Sequence, residues 1–314
     1  MRWIWLVLLF SLTAPGGEIR PSAVFTVRGF VNDFVVSDGR LFVATDRGSV
    51  DIFDLERMKF LRSIVLDPVR TGRGERVPVR ILSVDVRERK VLITGIADEG
   101  FRAVWVFDKS GLHPLIKASD RLMIKEARFD REGGVIVGTF GSELIRYSVE
   151  ESAPLYRRKP SQTAIGDLAM DERRASVIMS DEEGRVRLLD ARTGRLLREL
   201  PSRHLDQVFH VATAGGVIVT GGNDRRVCVF TPKGDYDFRT GFPVYSVGVS
   251  PRGKRGLFLH GDAQVLQLFD IETGEMGAKL VGHEAVVNQI RFLDERRVLS
   301  SEKGPRILLW DLEP

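Results

Sequence analysis

Short runs of apolar and β-branched residues, broken by glycine, aspartate and charged turns, recur along nearly the whole chain. Residues 41–45, 91–95, 135–138 and 217–220 are runs of this kind. They are too short for helices and are built from residue types that favour extended backbone, so they predict strands. A second pattern is laid over the first: a strand-like run ends on an aromatic residue or leucine, and an Asp, Ser or Thr follows. Seven such endings occur, at Asp54 (DIFD), Asp108 (VFD), Ser148 (IRYS), Asp190 (RLLD), Thr231 (CVFT), Asp270 (QLFD) and Asp311 (LLWD). Their successive spacings are 54, 40, 42, 41, 39 and 41 residues. The steps Glu183-Gly184 and Asn223-Asp224 supply hairpin chemistry inside a repeat, and the pairs Gly133-Gly134 and Gly215-Gly216 fall where a turn must join its first and second strands.

A repeat near 40 residues, made of short antiparallel strands, is the period of a β-propeller blade with four strands. Seven repeats therefore predict seven blades. The last repeat has strands beginning near Val286, Val298 and Ile307, but the chain stops at Pro314 before a fourth. The stretch 23–28 (AVFTVR), left over ahead of the first repeat, can supply it. A ring closed this way has no open edge in that blade. The expected fold is all-β: a seven-bladed propeller occupying 18–314 as one domain, closed by the N-terminal strand joining the last blade.

The repeats resemble those of the WD40 family. The final repeat carries Gly282-His283 ahead of its first strand and Trp310-Asp311 at the end of its third. The fifth repeat has His204 before the strand, Thr220 on the second strand and Asp224 in the following turn. In that family these groups hydrogen-bond across a blade, so the resemblance implies a structural tetrad and not a reactive one. The chain departs from the pattern where Phe53, Phe107, Tyr147, Leu189, Phe230 and Phe269 stand in place of tryptophan, and where Arg203 precedes His204 in place of glycine. The phrases DRGSV, GGNDRRVCVF and VYSVGVSPRGKRG are similar to those of WD40-type accessory proteins encoded with periplasmic nitrate reductase. That narrower resemblance implies a periplasmic protein supporting maturation or electron supply of a molybdenum enzyme, binding no cofactor itself.

The N-terminus adds a location. Arg2 precedes an apolar run at residues 3–12 (WIWLVLLFSL), and the small residues Ala14, Gly16 and Gly17 follow. The run is shorter than the roughly 18–20 residues of a membrane span, so residues 1–17 read as a signal peptide cut near 14–17. Leu12, two residues before Ala14, is a poor cleavage residue, which keeps a retained anchor as an alternative. No cysteine follows the run, which argues against a lipid anchor. Cys228, the chain's single cysteine, lies in an apolar strand and can form no intramolecular disulfide. An exported chain without disulfides fits the periplasm.

Composition excludes little else. At 314 residues and 43% hydrophobic, the chain can bury a large core without staples. Its 47 Lys and Arg against 43 Asp and Glu alternate along the sequence and do not gather in a stripe, which argues against nucleic acid as a partner.

Propellers place their chemistry around the central channel or on the loops of one face. One position in each first strand falls at Asp33, Ser83, Glu126, Asp167, His210, Ser246 and Gln289, all polar. These positions predict a water-filled channel with a polar lining. The alternative is a metal-dependent hydrolase of the lactonase type using Asp33, Glu126, Asp167 and His210. Against it, the carboxylates stand on separate blades, while a divalent cation needs converging ligands. The five histidines, at 113, 204, 210, 260 and 283, show no H-E-x-x-H spacing, and no G-x-S-x-G occurs. No catalytic residue, metal or cofactor is assigned. One insertion breaks the period, at residues 67–80 (DPVRTGRGERVPVR), bringing Arg70, Arg73, Arg76 and Arg80. Long connections at a propeller rim carry function more often than short ones, and arginine is enriched at interfaces. The expectation is a monomeric, exported scaffold without a membrane span after leader removal. It docks a protein through this loop, possible partners being a periplasmic reductase or its maturation factors.

Overall fold

The computed structural model describes residues 17–261 and 263–313, so the leader expected at 1–17 falls almost wholly outside the described residues. Seven sheets of at least four strands follow one another around a ring. Within each blade the chain runs outward from the axis, strand pairing antiparallel with strand. Blade 1 spans 31–65, blade 2 spans 80–116, blade 3 spans 124–158, blade 4 spans 165–200, blade 5 spans 208–239 and blade 6 spans 247–280. Blade 7 takes three strands from 287–311 and its fourth from Ala23–Thr26, which pairs antiparallel with Arg306–Asp311 in the register Ala23 with Leu309 through Thr26 with Arg306. The expected closure is observed.

Burial follows from strand position. The second strand of each blade is covered on both faces by neighbouring blades, and Val135–Thr139 is buried throughout. Outermost strands are largely solvated, as in Leu196–Leu200. The hydrophobic core divides accordingly into seven clusters, one for each seam between adjacent blades. The seam between blades 7 and 1 joins the two ends of the chain. There Phe25 of the N-terminal strand packs edge-on against Phe53, ring centroids 5.5 Å apart, beside Phe34, Leu299 and Ile307. Fully burying a phenylalanine is worth about 1.5–3 kcal/mol, so this clasp contributes substantially to keeping the ring shut.

Two features escaped the sequence reading. Glu18–Ile19 adds a fifth strand to blade 6, pairing parallel with Met276–Leu280, so the N-terminal segment bridges two blades. The insertion forms a small hairpin of its own, Val69–Arg70 against Arg76–Val77. Among the described residues no helix is long and apolar enough to cross a membrane.

Alternating strand direction gives the ring two unlike faces. The entry face carries the connections into each first strand and the turns between second and third strands. The exit face carries the remaining turns.

Candidate functional site

The seven ring positions do not simply line a channel. Five of them reach sideways, and each accepts a hydrogen bond from the backbone N–H one residue past the equivalent position on the next blade. Asp33 Oδ2 accepts from Val84 N at 3.0 Å, Glu126 Oε1 from Leu168 N at 2.9 Å, and Asp167 Oδ2 from Val211 N at 2.7 Å. His210 Nδ1 accepts from Val247 N at 3.3 Å, and Gln289 Oε1 from Phe34 N at 3.0 Å across the closing seam. The result is a belt that ties first strand to first strand. Ser83 and Ser246 are too short to reach, and their hydroxyls are buried without a partner. On blade 2, Asp85 takes over and accepts from Phe129 N at 2.8 Å. The expectation of a polar lining bathed in water is therefore corrected: Asp33, Ser83, Glu126, Ser246 and Gln289 are buried, and only Asp167, His210 and Gln289 border the channel cavity. A carboxylate that must accept from a strand N–H has no freedom to turn toward the axis.

A second row, two residues further along the first strands, was missed from sequence. It holds Asp85, Arg128 and Arg291, with Arg174 reaching in from a turn. Arg128 Nη1 lies 3.0 Å from Asp33 and its Nη2 lies 2.9 Å from Glu126, while Nη1 also donates to Val84 O at 2.8 Å. Arg174 grips Asp85 with two bonds of 2.6 and 2.8 Å. Burial works against the charge of Arg128, yet Asp33 and Glu126 together raise its pKa. Glu126 is pushed up to about 7 by burial, with Arg128 opposing and Asp167 adding to the rise. Burial likewise raises Asp167. His210 is driven down to about 4, by burial first and then by Arg291. A neutral ring suits its role, since Nδ1 must accept and Nε2 then carries the proton.

This arrangement disfavours the hydrolase alternative. The guanidinium of Arg128 already occupies the space between Asp33 and Glu126 where a cation would be held. Among the described residues no three His, Cys, Asp or Glu side chains are placed to hold a metal ion.

The tetrad residues meet as a hydrogen-bonded chain. In blade 7, Trp310 Nε1 donates to Ser300 Oγ at 2.7 Å, Ser300 lies 2.7 Å from His283 Nε2, and His283 Nδ1 lies 2.9 Å from Glu302. Burial lowers the His283 pKa, so a neutral imidazole donates through Nδ1 and accepts the serine proton. Ser300 and Glu302 were not singled out from sequence, although they take the hydrogen-bonding roles of Thr220 and Asp224, Glu302 from the end of the second strand itself. In blade 5, His204 Nδ1 lies 2.9 Å from Asp224 and Nε2 lies 2.9 Å from Thr220. His204, Thr220, His283, Ser300, Glu302 and Trp310 are buried, so these chains hold turns in place.

No protein-family model matches the chain, and no curated protein does. Among solved structures it is similar to the β-propeller domain of Cps50 (Swd1) from Myceliophteria thermophila, with a TM-score of 0.74 at 14% identity, covering 93% of this chain and 99% of that one. The fold is a seven-bladed β-propeller. At that identity the likeness speaks to architecture alone.

The arginine insertion lies on the entry face, packed beside the turn at Asp98–Gly100, with Arg70 N donating to Asp98 Oδ1 at 2.7 Å. Arg70, Arg73, Arg76 and Arg80 are all exposed, and none forms an ion pair. Around them the same face shows Phe30, Met123, Phe140 and Leu205, exposed by 57%, 48%, 39% and 76%. The guanidinium of Arg102 stacks 4.5 Å over Phe140 and that of Arg121 lies 5.4 Å over Phe101. On the exit face, Met58 is the one large apolar side chain exposed among the described residues. The other exposed apolar groups, such as Phe60 and Leu197, lie on outermost strands.

Proposed function

We propose that the chain is a non-enzymatic interaction scaffold that docks a protein partner on its entry face. The observation that carries this reading is the asymmetry of the two faces in apolar groups among the described residues: Phe30, Met123, Phe140 and Leu205 are exposed on one, together with the unpaired arginines of the insertion, and Met58 alone on the other. Apolar anchors framed by arginine are the composition of a protein interface. The four free guanidinium groups of the insertion suit a partner segment rich in carboxylates.

The reading of residues 1–17 as a signal peptide supports a periplasmic setting for this docking, and the accessory-protein resemblance makes a reductase such as nitrate reductase, or its maturation factors, the partner to test first. A photo-cross-linking amino acid placed at Phe140 in the full chain, expressed in its native host, should capture that partner. The same group at Met58, on the exit face, should not. Equal capture from both positions, or capture from Met58 alone, would reject the assignment of the face.

A further inference from the structure

The channel narrows and widens asymmetrically. At the second row, blades 3 and 7 contribute Arg128 and Arg291, whereas blades 4 and 5 contribute Ala169 and Ala212. The missing side chains leave a cavity of about 390 Å³, and its lining includes the first-to-second-strand turns at Asp171, Pro251 and Leu293, so it opens on the exit face, away from the docking surface. Arg128, Arg174 and Arg291 all line it, together with Asp85, Asp167, Glu172 and His210.

The three arginines are not equivalent. Arg128 spends both terminal nitrogens on Asp33, Glu126 and Val84 O, and Arg174 is locked on Asp85 and on Phe129 O at 2.8 Å. Arg291 makes one hydrogen bond, from Nε to Phe34 O at 3.0 Å, and no ion pair. Its two terminal nitrogens are left without a protein partner in a cavity shared with two other guanidinium groups. Burial lowers its pKa, with Asp33 opposing and Arg128 adding to the drop. The guanidinium is half-buried and carries no direct ion pair, and its planar fork of N–H donors matches an oxyanion. Nearby, His210 holds its proton on Nε2, which adds a donor at the cavity wall. Three acids line the cavity without an ion pair: Asp167, whose pKa burial raises, and Asp171 and Glu172 in the exit-face turn at its mouth, where Asp171 Oδ1 is taken up by the backbone N–H groups of Ala175 and Ser176.

We infer that the exit-face cavity is a binding site for a small organic oxyanion, a carboxylate or a phosphate ester, held by the free end of Arg291. The volume corresponds to roughly a dozen waters at about 30 Å³ each, the scale of a small metabolite and not of a protein loop.

The test is calorimetric titration of the folded full chain at fixed ionic strength with succinate, glycerol 3-phosphate, inorganic phosphate and sodium chloride. Saturable binding of succinate or glycerol 3-phosphate is expected, which of the two binds more tightly distinguishing the sources, with inorganic phosphate weaker. Arg291→Gln should weaken binding at least tenfold while the circular dichroism spectrum is unchanged. Ala212→Leu, which fills the cavity and leaves every arginine in place, should abolish it, and this variant serves if Arg291→Gln fails to fold. No saturable heat from either organic anion would overturn the proposal. So would wild-type affinity in Arg291→Gln, or in Ala212→Leu, or binding of inorganic phosphate alone.

Discussion

Replacing Glu126 by Gln isolates one buried charge and makes its cost readable. The Glu126 carboxyl is held at about 7 against its ordinary 4.5. Between those values the folded chain binds more protons than the unfolded one, so this group's contribution is fully present below pH 4.5 and is lost as the pH rises through 7. At roughly 1.4 kcal/mol for each pH unit, the displacement is worth about 3 kcal/mol. Glutamine copies the protonated acid: it keeps an oxygen for Leu168 N, and Arg128 keeps Asp33 and Val84 O. Wild type and Glu126→Gln should therefore be about equally stable near pH 4.5, and the variant should become more stable by about 3 kcal/mol near pH 8. Urea unfolding followed by tryptophan fluorescence at a series of pH values reads the difference directly. The background is not flat, because His210, held at about 4 against 6.5, contributes the opposite slope in the overlapping window, its stability being lost as pH falls from 6.5 toward 4. Subtracting the two proteins removes most of that term; the remainder is the small upward pull that the Glu126 charge exerts on His210. Parallel profiles for the two proteins, or a wild type that gains on the variant with rising pH, would show that Arg128 keeps Glu126 ionised and would refute the reasoning.

Other substitutions probe the remaining parts. Phe25→Ala, which empties the clasp between blades 7 and 1, should cost about 3–5 kcal/mol in urea unfolding, whereas Val24→Ala on the exposed side of the same strand should cost under about 1. Trp310→Phe removes the indole donor to Ser300 and should lower stability by about 1–3 kcal/mol; no change would mean that ring packing alone holds the blade 7 turn. Replacing Arg70, Arg73, Arg76 and Arg80 by alanine should leave the melting temperature within a few degrees, since none makes an ion pair, while reducing capture of the partner cross-linked at Phe140. Capture at wild-type level by that variant would remove the insertion from the interface.

The blade count, the strand order within each blade and the closing of the ring were legible in the chain itself. Each rests on a local pattern that repeats about every 40 residues, and a strand's hydrophobic alternation reports which face it buries whether or not its neighbour is known. Histidine, threonine and aspartate at His204, Thr220 and Asp224 were legible for the same reason, lying within one repeat. What the ring positions do was not. The partner of Asp33 is Val84, that of Glu126 is Leu168 and that of Gln289 is Phe34, each supplied by another blade, so polarity at these sites reads equally as solvent lining or as a belt until the blades are packed. The parallel strand Glu18–Ile19 is two residues long and has no period to detect. Tertiary structure alone set Arg291 apart from Arg128 and Arg174, because a guanidinium is free or paired only by virtue of what the rest of the ring brings to it.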